Sequence, residues 1–320
     1  MFDGIESLFA ELHGQVFETG VLPLVHALGF GGYAEWAFDA TEFFLIGAIE
    51  VTLLAIVLGS LERWRPLEMQ DEADKRVDVL YTLLERLGFI PLMLFALLTP
   101  LVGSLDGWLR MHDIIPWKLE DALPVLNDSP LLSLGVYLLI LDFVAYWLHR
   151  WQHRVSFWWA LHSLHHSQRS MSFWTDNRNH LLDSLLIHGA FALVALLIGV
   201  PPAAFVTIVV ATRVIESLAH ANLKFSFGRI GNCLLVSPRY HRVHHAIGTG
   251  HEGPHQGCNF AVLFPAWDML FGTANFEHNY PRTGVRDQLD GIEYGHGFWA
   301  QQWLGIKRLG SSMAVNRWGI

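Results

Sequence analysis

The sequence predicts an all-α protein: an integral membrane bundle of about four to five helices, with a helical cytosolic cap that holds a histidine-rich di-metal site. Three observations support this prediction: an apolar composition, five long apolar runs and clustered histidines. Of the 320 residues, 52% are hydrophobic and 16% are charged, whereas soluble domains carry about 25% charged residues. The excess of apolar surface fits a bilayer better than water.

The five apolar runs are long enough, or nearly so, to cross a hydrocarbon layer about 30 Å thick. Ahead of them, residues 1–42 contain glycines that predict short or interfacial helices. The second run carries Glu85 and Arg86 near its start, and the third is interrupted only by Asp142. The last two runs form a hairpin. The runs are residues 43–61, 77–105, 131–148, 181–200 and 203–219.

The distribution of Lys and Arg predicts the orientation of these helices. Residues 1–62 contain neither residue type, which argues against a cleaved signal peptide and leaves insertion to the internal runs. Basic residues concentrate in residues 62–76, 149–180 and 220–320. Because cytoplasmic loops carry the excess of Lys and Arg, we predict that these three segments are cytoplasmic. This topology returns all the clustered histidines to one membrane face.

No linker-like composition divides the chain. We predict N-terminal membrane helices and linkers in residues 1–130, a catalytic region in residues 131–275 and a peripheral tail in residues 276–320. The net charge is −9 and no basic cluster is present, so a nucleic-acid partner is not expected. The two cysteines are isolated in the sequence, and we expect free thiols.

Three histidine clusters carry the chemistry. In the first box, His149 and His153 lie four residues apart, on one face of a helix that continues the third run. The second and third boxes share the spacing HxxHH. Imidazole binds iron, zinc and copper, and one ion rarely takes more than about six protein ligands, so the eight histidines predict two metal ions. The boxes are His149 and His153; His162, His165 and His166; and His241, His244 and His245.

These boxes, in this order, resemble the fatty acid hydroxylase / sterol desaturase superfamily of membrane histidine-box oxygenases. The resemblance covers about residues 135–275 and includes Tyr146 and Trp147 before the first box and a WDxxFGT ending from Trp267 to Thr273. It implies four transmembrane helices, a cytosolic di-metal cap and O2-dependent attack on lipid C–H bonds.

The same resemblance implies ligands beyond the eight. His220, in the sequence His-Ala-Asn after the membrane hairpin, matches one of them. His180 follows Arg178 and Asn179 and matches another, although the proline that often comes next is Leu181 here. Other histidines fit less well: we expect His188 to form hydrogen bonds within the bundle. His251 and His255 either line the mouth of the site or lie in a solvated loop, and we prefer the loop.

Two polar residues are candidates for a catalytic role. Asp142 is a carboxylate inside an apolar run, seven residues before His149. Such residues are costly in hydrocarbon and are usually functional or paired, so we expect a hydrogen bond to a ligand imidazole or a partner in the bundle. Asn222 closes the His-Ala-Asn motif. Asp183 and Asp268 are further candidates for supporting a ligand imidazole.

The predicted function is hydroxylation or desaturation of a lipid, such as an acyl chain, a sterol-like ring or a lipid head group. The resemblance implies two iron ions, with O2 as cosubstrate. No GxGxxG motif follows a strand pattern, so we expect a separate reductase, ferredoxin or cytochrome to supply electrons. One alternative is a zinc-dependent membrane hydrolase, although HExxH is absent and catalytic zinc sites use about three protein ligands. A metal-binding transporter is the other, although transport requires polar residues through the depth of several helices.

Overall fold

The computed structural model describes residues 2–114 and 118–318, which form helices, turns and loops without a β-strand. The all-α prediction is confirmed. The helices in chain order are α1 (Phe2–Val16), α2 (Leu22–Ala27), α3 (Ala34–Trp64), α4 (Glu72–Arg86), α5 (Phe89–Met111), α6 (Leu119–Ala122), α7 (Pro130–Arg154), α8 (Ser156–His166), α9 (Leu181–Ile198), α10 (Pro202–His220), α11 (Gly228–Leu234), α12 (Pro238–His244), α13 (Ala266–Phe271) and α14 (Phe298–Trp318).

Five helices, α3, α5, α7, α9 and α10, are long and apolar enough to cross a membrane. Much of their apolar surface is uncovered by protein; on α9, for example, Leu186, Leu193 and Leu197 are exposed. A helix that is apolar all round is stable only when lipid or other protein covers it. The chain is therefore an integral membrane protein, and the predicted helical bundle is confirmed.

The hairpin between α9 and α10 has a clear local cause. Gly199 ends α9 in the left-handed region at φ +65°, where glycine has no side chain to clash. Pro202 then begins α10, because the first helical position has an unpaired N–H in any case. The turn lies at the end of the bundle away from the histidines, so α9 leaves the histidine-bearing end and α10 returns to it.

The prediction of one continuous second run over residues 77–105 is wrong. Gly88 adopts φ +89° and separates α4 from α5. Asp71 is the N-cap of α4: its side chain accepts hydrogen bonds from the backbone N–H groups of Ala73 and Asp74 at 2.7 and 3.2 Å. Helix α4 buries polar side chains, including Asp78. It therefore belongs to the cap, and only α5 is a candidate membrane helix.

A buried charge network joins the cap to the bundle at Arg86, the last residue of α4. Its guanidinium pairs with Glu50 of α3 and, at 2.7 Å, with Asp176. It also donates to the Ser217 hydroxyl of α10 at 3.0 Å. Gly47 allows this approach, because a Cβ at that position would overlap the backbone oxygen of Arg86. The network fixes α3, α4 and α10 relative to one another.

The prediction of a peripheral tail in residues 276–320 is also wrong. Helix α14 packs along α8, which carries the second box, and Phe298 is buried there. Gln302 is buried as well and donates to the Tyr81 hydroxyl at 2.9 Å, while its side-chain oxygen accepts from the Leu181 N–H at 2.8 Å. Arg308 donates to the backbone oxygen of Ala160 at 3.1 Å. The tail is therefore part of the cap.

Candidate metal centre

Nine histidines converge inside the cap: the eight histidines of the boxes, and His220. They come from the end of α7, from α8, from the end of α10 and from α12 with the residue after it. None is more than 8% exposed. Segments that are distant in sequence therefore meet in one buried space at the end of the bundle. The nine are His149, His153, His162, His165, His166, His220, His241, His244 and His245.

The first histidine group consists of His149, His153, His162 and His166. One ring nitrogen from each lies within 4.8 Å of those of the other three. The Nε2 atom of His166 is 3.1 Å from that of His153 and 3.2 Å from that of His162. All four side chains are buried.

The second histidine group consists of His165, His220, His241 and His245, again with one ring nitrogen from each within 4.8 Å of the others. Three Nε2–Nε2 distances connect its members in series: 3.2 Å from His165 to His220, 3.0 Å from His220 to His241 and 3.1 Å from His241 to His245. Adjacent residues His165 and His166 belong to different groups, so α8 contributes to both.

The distances between the ring nitrogens suit ligands of a shared metal ion better than hydrogen bonds between imidazoles. The Nδ1 atoms of His149 and His220 each lie 2.8 Å from a backbone oxygen, of Phe260 and Glu216 respectively. These nitrogens carry the proton, because a carbonyl can only accept. Their Nε2 lone pairs therefore point into the groups. Two nitrogens bound at about 2.1 Å to one ion, at a right angle, lie about 3 Å apart, which is close to the distances found here.

His244 lies between the two groups. Its Nδ1 donates to the backbone oxygen of Cys258 at 2.7 Å, whereas its Nε2 is buried and has no partner. Its ring centroid is 4.4 Å from that of His149, and it forms a further possible metal-binding set with His166 and His245. An unpaired buried nitrogen is costly, and a metal ion would satisfy it.

Burial keeps the cap imidazoles neutral. It lowers the pKa of each well below the ordinary value, and neighbouring imidazoles lower it further. The neutral ring is the form that ligates metals. The centre is therefore ready to bind metal at neutral pH. The histidines concerned are His165, His166, His241, His244 and His245.

The sequence of this region matches a known family. The family model described as fatty acid hydroxylase matches residues 134–273, which include all nine histidines. Residues 134–273, 140 of the 320 residues, are therefore similar to the fatty acid hydroxylase family. The three boxes that carried the resemblance therefore identified it correctly, and the metal-binding histidine sets are consistent with a metal-using family.

The curated relatives of this chain are named as hydroxylases or monooxygenases. The ornithine lipid hydroxylase of Rhizobium tropici is 29% identical over 180 residues, 56% of this chain and 52% of the relative. Human alkylglycerol monooxygenase is 28% identical over 169 residues, 52% of this chain and 36% of the relative. Methylsterol monooxygenase 1-3 of Arabidopsis thaliana is 27% identical over 147 residues, 44% and 47% respectively. These matches span about half or less of each relative, and no solved structure matches the chain.

Asp183 supports the first histidine group of the fatty acid hydroxylase region, as the sequence suggested. Its buried carboxylate accepts from Nδ1 of His162 at 3.0 Å, and also from Gln152 and Trp158 at 2.8 and 2.7 Å. Three donors hold the carboxylate in place. The bond to His162 fixes the proton on Nδ1 and leaves Nε2 free for metal, as carboxylate–histidine–metal arrangements do.

Of the two alternatives that the sequence left open for Asp142, a hydrogen bond to a ligand imidazole is wrong. Its carboxylate accepts from the backbone N–H groups of Leu263 and Phe264 at 2.9 and 3.2 Å, and from the indole of Trp267 at 2.9 Å. These bonds fasten α7 to the loop that precedes α13. Asp142 is therefore paired, as an acid in an apolar helix must be, but its partners are backbone and tryptophan.

Asp268, in the WDxxFGT ending, acts on the centre indirectly. It accepts from the backbone N–H groups of Phe260 and Ala261 at 2.9 and 2.8 Å. Because the Phe260 oxygen accepts the hydrogen bond from Nδ1 of His149 at 2.8 Å, Asp268 orients a carbonyl that in turn orients His149. Burial raises the pKa of this carboxyl group.

His180 lies outside both histidine groups, so the structure does not support its predicted role as a metal ligand. Its Nε2 donates to the backbone oxygen of Gln302 at 2.9 Å, and its Nδ1 accepts from the Leu182 N–H at 3.1 Å, where it caps α9. Both ring nitrogens are thereby engaged. The motif resembled a ligand motif, but α14 covers this histidine at Gly305.

Asn222 is also outside the groups and does not face a shared centre. Its amide donates to the backbone oxygen of Glu68 at 2.8 Å and accepts from the Glu68 N–H at 3.1 Å. Its own N–H donates to Glu62 at 2.8 Å. The residue therefore joins the segment after His220 to the link between α3 and α4, and the structure gives it a positioning role.

His251 is only partly exposed, although residues 252–254 of its loop are exposed, and it lies beside the histidine groups, so lining the site describes it better than the solvated loop that we preferred. Its Nε2 donates to the Gly284 oxygen at 3.0 Å, and its ring centroid is 4.6 Å from that of His166. Burial lowers its pKa to about 4. The signal that sequence reasoning missed is Gly250, where any Cβ would overlap the backbone oxygen of His244. That close approach folds the glycine-rich loop onto the third box.

Proposed function

We propose that this protein is an O2-dependent di-iron membrane oxygenase that hydroxylates a lipid. The observation that carries the proposal is the pair of buried four-histidine groups, which share α8 and lie side by side at one end of an apolar bundle. The relatives support it, because they are named as hydroxylases or monooxygenases of lipids.

In this proposal each of the two histidine groups would hold one iron ion. The first ion would be held by His149, His153, His162 and His166, and the second by His165, His220, His241 and His245. The unpaired Nε2 of His244 would be available as a further ligand. Two bound iron ions would supply the oxidising chemistry that O2 requires to attack an unactivated C–H bond. The chain supplies neutral imidazoles, fixes His162 through Asp183, and keeps water away from the centre by burial.

We propose that the substrate reaches the centre from the bilayer, because each of the five apolar helices has one end at the histidine groups. An acyl chain, a sterol-like ring, an ether lipid or a lipid head group would each fit this route. Hydroxylation is preferred to desaturation, since it requires one hydrogen abstraction followed by rebound. We propose further that the centre lies on the cytoplasmic side, where a separate reductase, ferredoxin or cytochrome can deliver two electrons.

The two alternatives have less support. A zinc hydrolase requires a carboxylate free to activate water at a centre with about three protein ligands. The carboxylate in contact with the first group, Asp183, is instead bonded to His162, Gln152 and Trp158. A transporter requires polar groups along a path through the bundle, whereas the histidines gather at one end of it.

The test is the lipid profile of a deletion strain, complemented either with the wild-type gene or with variants. We expect the wild type to restore a lipid that differs from its precursor by one oxygen, or by two hydrogens if the reaction is desaturation. The variant His165→Ala should insert normally and fail to restore that lipid, because the second group loses a ligand. The control variant His278→Ala, at an exposed position, should restore it. Full restoration by His165→Ala would contradict the proposal.

A further inference from the structure

A cavity lies at the end of the bundle that carries the histidine groups. Its volume is about 420 Å³, and its walls come from the end of α3, the start of α4, the link between them, residues 173–174 and Asn222. None of the nine converging histidines lines it. Because Asn222 follows His220 by two residues, the cavity lies at the same end of the bundle as the histidine groups.

The lining of the cavity combines apolar and charged residues. Ala55, Gly59 and Phe173 are apolar. The charged wall consists of the cations Arg63 and Lys75 and the carboxylates Glu62, Glu68 and Glu72. The cavity therefore offers both signs of charge next to apolar surface, as a lipid head group with its glycerol region requires.

We propose that this cavity binds the head group of a zwitterionic lipid, one that carries both an anionic group and an ammonium group. This inference rests on the proposed lipid oxygenase function and names the head-group class of its substrate. Arg63 and Lys75 can pair with a phosphate or carboxylate. Glu72 can pair with an ammonium, since Glu68 is already paired with Arg242 at 2.7 Å.

The charged wall of the cavity is attached to the segments that carry the second histidine group. Asn222 holds the backbone of Glu68 at 2.8 and 3.1 Å. Arg242, adjacent to His241, holds the Glu68 carboxylate. A head group seated against this wall would therefore lie at a fixed position relative to the metal centre. The cavity would orient the lipid rather than take part in its oxidation.

Gly59 allows the cavity to be filled selectively. A Cβ at this position would lie 3.5 Å from Cε1 of Phe173 and 3.7 Å from Nη1 of Arg63, which is ordinary van der Waals contact. The variant Gly59→Ala should therefore fit, whereas the longer side chain of Gly59→Leu should occupy the space of the head group. Comparing the two variants therefore distinguishes loss of the cavity from loss of the fold.

The experiment is calorimetric titration of the purified full-length protein, in a non-ionic maltoside detergent, with short-chain phosphatidylethanolamine. Phosphatidylglycerol with the same acyl chains lacks the ammonium, and soluble glycerophosphoethanolamine lacks the chains. We expect wild type and Gly59→Ala to bind phosphatidylethanolamine at least about fivefold more tightly than the other two compounds. Gly59→Leu should weaken its binding at least about tenfold.

A matched pair of lysine variants tests the charged wall of the cavity. Lys75→Gln should weaken binding of both lipids about twofold to fivefold, whereas Lys118→Gln, outside the cavity, should leave both unchanged. Equal binding of the two lipids, equal binding of the soluble head group, or unaltered binding to Gly59→Leu would each overturn the inference. The titration requires no turnover, so its failure is distinguishable from failure of the oxygenase proposal, which the lipid profile tests.

Discussion

At the scale of single residues, the chemistry depends on which nitrogen of each imidazole is free. His149, His220 and His244 donate Nδ1 to backbone oxygens, and His162 donates Nδ1 to Asp183. Each therefore presents Nε2 to the interior of the cap. Sequence spacing predicted the eight box histidines, because positions three or four apart share a helix face. It could not predict the partners, whose distance along the chain varies from 4 residues for His220 to 111 residues for His149.

Removing the carboxylate that supports His162 should weaken the first histidine group alone. Asp183→Ala deletes the acceptor that fixes the proton on Nδ1 of His162, and loss of such a partner typically costs 10- to 100-fold in metal affinity. We expect the purified variant to retain one iron ion after dialysis against a chelator that leaves both in the wild type. The exposed Asp290→Asn should behave as the wild type, and retention of both ions by Asp183→Ala would refute this role.

The metal-free protein should lose stability in mild acid. Above the ordinary histidine pKa of about 6.5, the cap imidazoles are neutral in both the folded and unfolded chain. Below it, the unfolded chain binds protons that the folded chain cannot, because burial lowers the folded pKa values. The free energy of unfolding therefore falls as the pH falls.

This dependence can be measured as the apparent melting temperature of chelator-treated protein between about pH 7.5 and about pH 5.5. We expect a progressive decrease. Burial raises the pKa of Asp78 and Asp268, and these carboxyl groups act in the opposite direction, but five imidazoles outnumber them. A melting temperature that is constant or rises over this range would show that the imidazoles are not buried as described.

At the scale of helices, the sequence predicted the membrane runs better than the cap. The apolar runs at 43–61, 131–148 and 203–219 fall within α3, α7 and α10. The run at 77–105 failed because apolar residues continue across Gly88, and hydropathy alone does not detect a break made by one positive φ. The packing of α14 was not predicted, because this helix buries glutamines and small residues, and that pattern is typical of an exposed helix when the partner is not known.

The docking of α14 can be tested with two glycines of the same helix. A Cβ at Gly305 would overlap the ring of His180, whereas a Cβ at Gly310 would have no neighbour within 4 Å. Gly305→Ala should therefore destabilise the protein by about 1–3 kcal/mol through overpacking. Gly310→Ala should be neutral or stabilising by up to about 1 kcal/mol.

Thermal unfolding of the two variants, each compared with the wild type, measures the difference. The opposite order of melting temperatures, or two equal values, would mean that α14 does not pack on His180. The comparison also tests the corrected role of His180, because a histidine that ligates a metal needs one ring nitrogen that is not hydrogen-bonded to the backbone.

At the scale of the whole molecule, five membrane helices bring their histidine-proximal ends together. Helices α3, α7 and α10 finish at that end, and α5 and α9 begin there. The bulk composition predicted the membrane, and the boxes predicted the centre. The charge distribution alone predicts which side of the membrane the centre faces, so the cytoplasmic orientation remains a prediction.

Cysteine reporters at the two ends of the bundle can determine this orientation. In a Cys233→Ser, Cys258→Ser background, Arg76→Cys lies at the histidine-bearing end and Asp128→Cys at the opposite end, and both positions are exposed. We expect a membrane-impermeant maleimide to label Asp128→Cys on intact cells, and Arg76→Cys only after permeabilisation. The reverse pattern would place the centre outside the cytoplasm.

The iron content of the purified protein shows whether the histidines form two metal sites. After anaerobic reconstitution, we expect two iron ions per wild-type chain. We expect one ion for His162→Ala, which disrupts the first histidine group, and one for His241→Ala, which disrupts the second. A wild-type chain that binds a single ion, or two variants that each keep both, would contradict the convergence of the histidines into two metal sites.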